Sequence, residues 1–182
     1  MSRALVVLAD GFEETEAVTA IDLLRRGGVE VVIAALSGGR ARGSHGIEIH
    51  ADAALADALG APYDAVVLPG GQPGATHLAT DARVLALVRA QMRDGRLLGA
   101  ICAAPTVLAA AGVLDGRRVT AFPGALKPDA AVELALSDEA VVRDGDLITA
   151  RGPGTAMDFA LALLDALEGR TVRDRVEAAL QR

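Results

Sequence analysis

Short apolar runs alternate along the chain with longer segments in which apolar residues recur every three or four positions. The apolar runs predict strands that are buried on both faces of a sheet, at residues 3–9, 29–36, 65–68 and 97–101. The periodic segments predict helices at residues 12–26, 80–94, 103–111 and 155–167. Because strands and helices alternate, the pattern predicts a doubly wound, mostly parallel α/β sheet.

Shorter segments complete the predicted order of elements. They are a strand at 47–50 in a hairpin excursion that begins near Gly38, a short helix at 53–59, a strand at 118–122, a loop with a short helix at 123–135, a hairpin of 140–142 with 147–150 around Asp144-Gly145, and a last helix at 172–180. The chain has 182 residues, with no internal repeat or linker, so we expect a single domain over residues 1–182.

Loops that follow the carboxyl ends of strands are where doubly wound sheets form their sites. Here those loops are residues 10–16, 69–74, 102–104 and 151–155. We expect all of them to lie on one edge of the sheet. That convergence makes the only cysteine, Cys102, part of a candidate site.

Cys102 lies between a buried strand and an Ala- and Leu-rich helix that Gly112 ends. On such a sharp turn its sulfur is expected to face backbone N–H groups and the positive end of a helix dipole. Both favour the thiolate, so we expect a thiol pKa below that of free cysteine. The arrangement is typical of a nucleophile elbow. The alternative is an inert core cysteine, the usual role of a lone cysteine in an apolar region.

The neighbouring loops carry groups that a thiol nucleophile requires. Gly70 and Gly71 leave backbone N–H groups uncovered, which together with the N–H of Ala103 predict an oxyanion hole. The alternative is a tight turn that requires glycine for its positive φ. A glutamate in the first turn of the helix after residue 12 can bind the thiolate or move a proton. Helical periodicity does not choose among Glu13, Glu14 and Glu16, which are also favoured there by the helix dipole.

Composition narrows the class of protein. The net charge is −6 and aromatic residues make up 2%, which argues against nucleic acid as the main partner. One cysteine excludes an internal disulfide and a Cys-only metal site, and the three histidines lack metal-ligand spacing. We therefore expect no metal site. The sequence shows no signal-peptide core and no apolar run long enough to cross a bilayer, so a cytoplasmic location is expected.

Taken together, these motifs resemble the ThiJ/PfpI superfamily, and within it the parkinsonism-linked, DJ-one-like deglycase branch and its bacterial relatives. The resemblance covers nearly the whole chain. It is carried in order and spacing by LADGFEETEAV, VVLPGGQPGA, GAICAAPTVLA and ARGPGTAMDFAL. It implies a flavodoxin-like, three-layer α/β/α sandwich and a homodimer.

The resemblance also implies roles for individual residues. Cys102 matches the reactive cysteine, and Glu16 matches the carboxylic acid that hydrogen-bonds it. Arg26 falls where the family has an arginine near the dimer interface, and His45 lies in the loop that approaches the partner subunit's site. Gly70, Gly71 and Ala103 match the oxyanion-hole positions.

Two departures from the family pattern concern histidine. Some members carry a histidine near the cysteine at the position that Phe122 occupies here, and protease-like members have one at the position of Ala103. No imidazole is therefore adjacent to Cys102 in sequence, which disfavours a Cys-His amidase or protease.

The resemblance implies cofactor-independent chemistry on reactive carbonyls such as methylglyoxal and glyoxal, of the glyoxalase or protein-deglycase type, in protection from carbonyl and oxidative stress. A second hypothesis is a redox sensor or holdase chaperone in which Cys102 is oxidised to a sulfinate. A third is another task on the same fold, such as thiamine-related or amidase chemistry. Turnover by wild type but not by Cys102→Ser separates the first hypothesis from the second.

Overall fold

The centre of the fold is a seven-stranded sheet in the computed structural model, which describes residues 1–127 and 134–181. The strands are β1 (Arg3–Leu8), β2 (Glu30–Ala35), β3 (Arg40–Arg42), β4 (Glu48–His50), β5 (Ala53–Ala54), β6 (Ala65–Leu68), β7 (Leu97–Ile101), β8 (Arg117–Val119), β9 (Leu134–Leu136), β10 (Val141–Asp144) and β11 (Leu147–Ala150). The helices are α1 (Glu14–Arg26), α2 (Leu55–Ala58), α3 (Gly74–Thr80), α4 (Ala82–Arg93), α5 (Pro105–Ala111), α6 (Ala156–Glu168) and α7 (Arg170–Ala179).

The main sheet has the strand order β10-β11-β7-β6-β1-β2-β5. All neighbouring strands in it are parallel except β10 and β11, which form the antiparallel hairpin predicted around Asp144-Gly145. The remaining described strands form two small sheets, β3 with β4 and β8 with β9. The doubly wound, mostly parallel sheet predicted from the apolar runs is therefore confirmed.

Helices cover both faces of the sheet and form three layers. Helices α1, α6 and α7 pack together on one face, and α3, α4 and α5 pack on the other. Within β1 the side chains of Val6 and Leu8 enter one core cluster, and those of Leu5 and Val7 enter the opposite one. Both sides of the strand are buried, which explains why its sequence has no alternation of polar and apolar residues.

The structure differs from the predicted elements at several places. Helix α3 was not predicted: a loop was expected over 69–74 and the next helix only from residue 80, yet a helix begins at Gly74. The predicted helix over 53–59 is a two-residue strand followed by one helical turn. Strand β9 begins at Leu134, before the end of the predicted loop over 123–135, and residues 128–133 of that loop lie outside the described residues.

The strand predicted over 118–122 ends at Val119 because the next residues are bound to the main sheet and to the elbow. The backbone N–H of Thr120 donates to Oγ1 of Thr149 at 2.9 Å. The backbone N–H of Phe122 donates to the carbonyl of Cys102 at 2.8 Å. The short segment after β8 therefore places Phe122 next to the candidate nucleophile.

The predicted hairpin excursion is confirmed as β3 and β4, an antiparallel pair outside the main sheet. In the described part of the chain, 1–127 and 134–181, no helix is long and apolar enough to cross a membrane.

Candidate active site

Cys102 occupies a sharp turn between β7 and α5. Its φ is 64°, in the left-handed region that non-glycine residues rarely adopt, so the turn holds the residue in a strained conformation. Its backbone N–H donates to the carbonyl of Ala150 at 2.8 Å, which ties the elbow to the end of β11. The residue is 8% exposed. The nucleophile-elbow geometry predicted from the sequence is confirmed.

The loops that were expected to converge do so around this turn. The backbone N–H of Glu13 donates to the carbonyl of Gly70 at 2.9 Å, which joins the loop after β1 to the loop after β6. A Cβ on Gly70 would lie 2.7 Å from Cβ of Cys102 and 2.9 Å from the nitrogen of Ala103. The close approach of these loops therefore requires glycine at position 70.

Glu16 is the glutamate that the structure selects from the first turn of α1. It is 1% exposed, and its Oε2 accepts a hydrogen bond from the backbone N–H of Gly70 at 2.7 Å. Its Oε1 is buried without a geometrically defined hydrogen-bond partner among the described residues. The side chain interacts with the thiol of Cys102. Oε1 is therefore the oxygen of Glu16 that no backbone N–H occupies.

Burial and mutual interaction shift the titration of this pair. Burial, offset by hydrogen bonds from the Gly70 N–H and the Cys102 side chain, raises the pKa of Glu16 to about 7. Burial, followed by the charge and hydrogen bond of Glu16, raises the pKa of Cys102 to about 12. The expected lowering of the thiol pKa is therefore not found beside an ionised Glu16. Burial of the sulfur and the neighbouring carboxylate outweigh the N–H groups of Gly71 and Ala103, which lower the thiol pKa.

The two groups titrate together, so the pair holds a single negative charge over a wide pH range. When the proton resides on Glu16, the repulsion that opposes the thiolate disappears, and a carboxyl O–H replaces the carboxylate beside the sulfur. Backbone N–H groups of Gly71 and Ala103 favour the thiolate in either case. Transfer of a proton from the thiol to the carboxylate therefore moves one negative charge within the pair and creates no second one.

The predicted oxyanion hole is smaller than expected. The N–H of Gly70 already donates to Glu16, so it is not available to an oxyanion. The N–H groups of Gly71 and Ala103 face the sulfur. Gly71 has a φ of 89°, and a Cβ there would lie 2.4 Å from the backbone nitrogen of Glu13. Only glycine can therefore place an N–H at this position.

The other glutamates of the first turn have structural roles. An oxygen of Glu13 accepts from the backbone N–H of Glu16 at 2.9 Å and caps α1. Glu14 is 5% exposed and accepts from the backbone N–H of His45 at 2.7 Å and from its ring at 3.0 Å. Burial alone would raise the pKa of Glu14, but hydrogen bonds from His45 and from backbone N–H groups, including that of Ile47, lower it to about 2.

Glu13, Glu14 and His45 also bring possible metal-ligand atoms within 4.8 Å of one another, a grouping that histidine spacing did not indicate. Both oxygens of Glu14 already accept hydrogen bonds from the loop over 43–47. The cluster is therefore explained by the attachment of the β3–β4 hairpin to α1.

The structure does not bring Arg26 or His45 of this chain to Cys102. Arg26 is in the last turn of α1, ten residues beyond Glu16, which corresponds to about 15 Å along a helix. There it forms an ion pair with Asp22 at 2.7 Å. The side chain of His45 is 74% exposed and points to Glu14. A role for either residue at Cys102 would require a second subunit.

Phe122 is next to the elbow and 51% exposed. Gly152, which sequence reasoning did not single out, also lies at the site. A Cβ built on it would be 3.9 Å from Sγ of Cys102 and 3.4 Å from the ring of Phe122. The Gly-Pro-Gly sequence after the arginine at position 151 was recognised as a loop, but no sequence signal showed that the bare Cα of Gly152 faces the sulfur.

The fold and the site define a class of α/β proteins in which a strained elbow cysteine is paired with a buried carboxyl group. The chain belongs to the DJ-1/PfpI family, whose sequence model matches residues 2–166. It is 45% identical over 169 residues to Protein dj-1beta of Drosophila melanogaster, covering 92% of this chain and 90% of that protein.

Two further comparisons agree. The chain is 37% identical over 167 residues to the glutathione-independent glyoxalase DJR-1.2 of Caenorhabditis elegans, covering 91% of this chain and 89% of that protein. The crystal structure of Drosophila melanogaster DJ-1beta superposes with a TM-score of 0.94 at 43% identity, covering 100% of this chain and 98% of that chain. The flavodoxin-like fold that the motifs implied is confirmed.

Proposed function

We propose that this protein is a cofactor-independent enzyme that acts on reactive 2-oxoaldehydes, such as methylglyoxal, and on their adducts with amines and thiols. The observation that carries the proposal is the pairing of Cys102 with Glu16, whose pKa of about 7 suits a group that must both accept and release a proton. The relative named a glutathione-independent glyoxalase supports the same reaction.

The first step forms a bond between the sulfur of Cys102 and the aldehyde carbon of the substrate. The carbonyl electron pair moves to oxygen, which takes a proton and gives a hemithioacetal. The N–H groups of Gly71 and Ala103 face the sulfur, so they lie where they can stabilise the negative oxygen as it develops. The thiol proton passes by way of the carboxylate of Glu16 to the new oxygen, so Glu16 is a carboxylate again when the second step begins.

The second step moves hydrogen between the two adjacent carbons of the substrate. The carboxylate of Glu16 removes the hydrogen of the former aldehyde carbon as a proton, and a proton returns to the neighbouring ketone carbon. The aldehyde carbon is oxidised and the ketone carbon is reduced, so electrons balance within the substrate. Water then breaks the carbon–sulfur bond of the resulting thioester, which releases a hydroxy acid and restores the thiol of Cys102.

The direct test is lactate formation from methylglyoxal by the wild-type protein and by Cys102→Ser. We expect turnover by wild type and none above background by the variant, because a serine hydroxyl beside Glu16 is a much weaker nucleophile than a thiolate. Equal rates for the two proteins would overturn the proposal. Absence of turnover by both proteins, with oxidation of Cys102 to a sulfinate by peroxide, would favour the redox-sensing alternative.

We also infer that the protein acts as a homodimer in a reducing cytoplasm. The β3–β4 hairpin lies outside the main sheet, and Ile47 beside it is 58% exposed. A second copy of this chain would cover that side chain and would bring His45 toward the partner's reactive cysteine. A reducing compartment keeps Cys102 as the thiol that the reaction requires.

A further inference from the structure

A groove of about 450 Å³ lies beside the reactive cysteine. One wall is formed by Phe122 and Pro123, which follow β8. The other wall is formed by Arg151 and residues 152–155, in the loop after β11. Arg151 is anchored at the rim, where its Nη1 donates to the carbonyl of Asp138 at 3.2 Å. The proposed reaction needs only the sulfur, the carboxyl group and two backbone N–H groups. None of its steps requires the groove.

Phe122 forms the apolar wall of the groove. Its side chain is 51% exposed, in a chain with three phenylalanines, one tyrosine and no tryptophan. The hydrogen bond from the backbone N–H of Phe122 to the carbonyl of Cys102 fixes the backbone of Phe122 relative to the cysteine. The aromatic ring is therefore held beside the elbow and open to a molecule in the groove.

The space between ring and sulfur is kept open by Gly152. The point where its Cβ would stand is 3.4 Å from Cδ2 of Phe122 and 3.9 Å from Sγ of Cys102. The φ of Gly152 is 163°, an extended conformation that other residues also adopt, so backbone strain does not require glycine here. The missing side chain instead leaves room for a group that touches both the sulfur and the aromatic ring.

We propose that this groove selects 2-oxoaldehydes that carry an aromatic or similarly large apolar substituent. With the aldehyde carbon at the Cys102 sulfur, the substituent on the adjacent ketone carbon would lie against the ring of Phe122. Contact between two aromatic rings adds to the burial of apolar surface, and a methyl group is too small to make it. The inference rests on the proposed function, because it assigns the substrate class of the same site.

The test compares phenylglyoxal with methylglyoxal as substrates, through the ratio of their kcat/KM values from initial rates. We expect wild type to favour phenylglyoxal, and Phe122→Ala to lower the ratio about 3- to 10-fold, the range that an aromatic contact supports. Gly152→Ala should lower the ratio as well, because its Cβ would fill the space between ring and sulfur. Phe122→Tyr keeps the ring and should keep the ratio.

Leu59→Ala is the matched control, because Leu59 is an exposed apolar residue at the end of α2, far along the sheet from the groove. It should leave the ratio at the wild-type value. Turnover of both aldehydes with an unchanged ratio in Phe122→Ala and Gly152→Ala would overturn this inference alone. Failure of wild type to convert either aldehyde would overturn the proposed function and this inference with it.

Discussion

At the scale of single residues, the proposed chemistry depends on one buried carboxyl group beside one buried thiol. Glu16 and Cys102 cannot both be charged at low cost, since no cation among the described residues is found to offset a second negative charge there. The N–H of Gly70 fixes one oxygen of the carboxyl group and leaves the other without a backbone donor. The pair is therefore arranged to hold and transfer a single proton.

The raised pKa of Glu16 predicts a pH dependence of stability. The pKa of Glu16 is about 7 in the folded protein and near 4.5 in the unfolded chain. The contribution of the protonated carboxyl group to the free energy of unfolding is therefore fully present below pH 4.5 and is lost as pH rises through 7. The shift corresponds to about 3 kcal/mol. Wild type should therefore lose about that free energy of unfolding between pH 4.5 and 7.5 relative to Glu16→Gln, measured by urea denaturation. Parallel pH profiles for the two proteins would contradict the shift.

At the scale of elements, the main strands were predicted well because a strand buried on both faces carries an unmistakable apolar run. The convergence of the loops on Cys102 followed from the parallel order alone. Helix α3 was missed because nothing in its local sequence shows that this seven-residue helix packs against α5. The hydrogen bond from the Gly70 N–H to Glu16 was not predicted, because it joins residues that are far apart in the sequence and no sequence pattern encodes their distance.

The attachment of the β3–β4 hairpin to α1 supports a second prediction. Glu14 receives hydrogen bonds from the backbone N–H groups of His45 and Ile47, so Glu14→Gln should destabilise the protein at pH 7 by about 1–3 kcal/mol. Because the pKa of Glu14 is lowered to about 2, this contribution is present above pH 4.5 and is lost as pH falls toward 2.

Hydrogen exchange of the amides in residues 40–50, together with urea denaturation, measures this effect. His45→Ala is the control, since it removes the ring contact but keeps the backbone donor to Glu14, and should cost less than Glu14→Gln. Unchanged exchange across the hairpin in Glu14→Gln would show that this carboxylate does not hold it.

At the scale of the whole molecule, the predicted homodimer is testable in solution. The monomer mass is 18.5 kDa, so light scattering at micromolar concentration should give about twice that value. Ile47→Glu, which places a charge on an exposed apolar side chain of the hairpin loop, should shift the mass toward the monomer. A monomer mass for wild type would refute the dimer, and with it any role of His45 at a partner's cysteine.

The most direct test of the Cys102–Glu16 mechanism is a paired measurement on Glu16→Gln: methylglyoxal turnover and the pH titration of thiolate absorbance. We expect kcat to fall about 10²- to 10⁴-fold, because glutamine cannot move the proton between the two substrate carbons. The thiol pKa of the variant should fall below the wild-type value, because burial remains but the Glu16 charge, the next largest cause of the raised pKa of Cys102, is removed. Wild-type turnover in Glu16→Gln would contradict the mechanism, since another group would then move the proton.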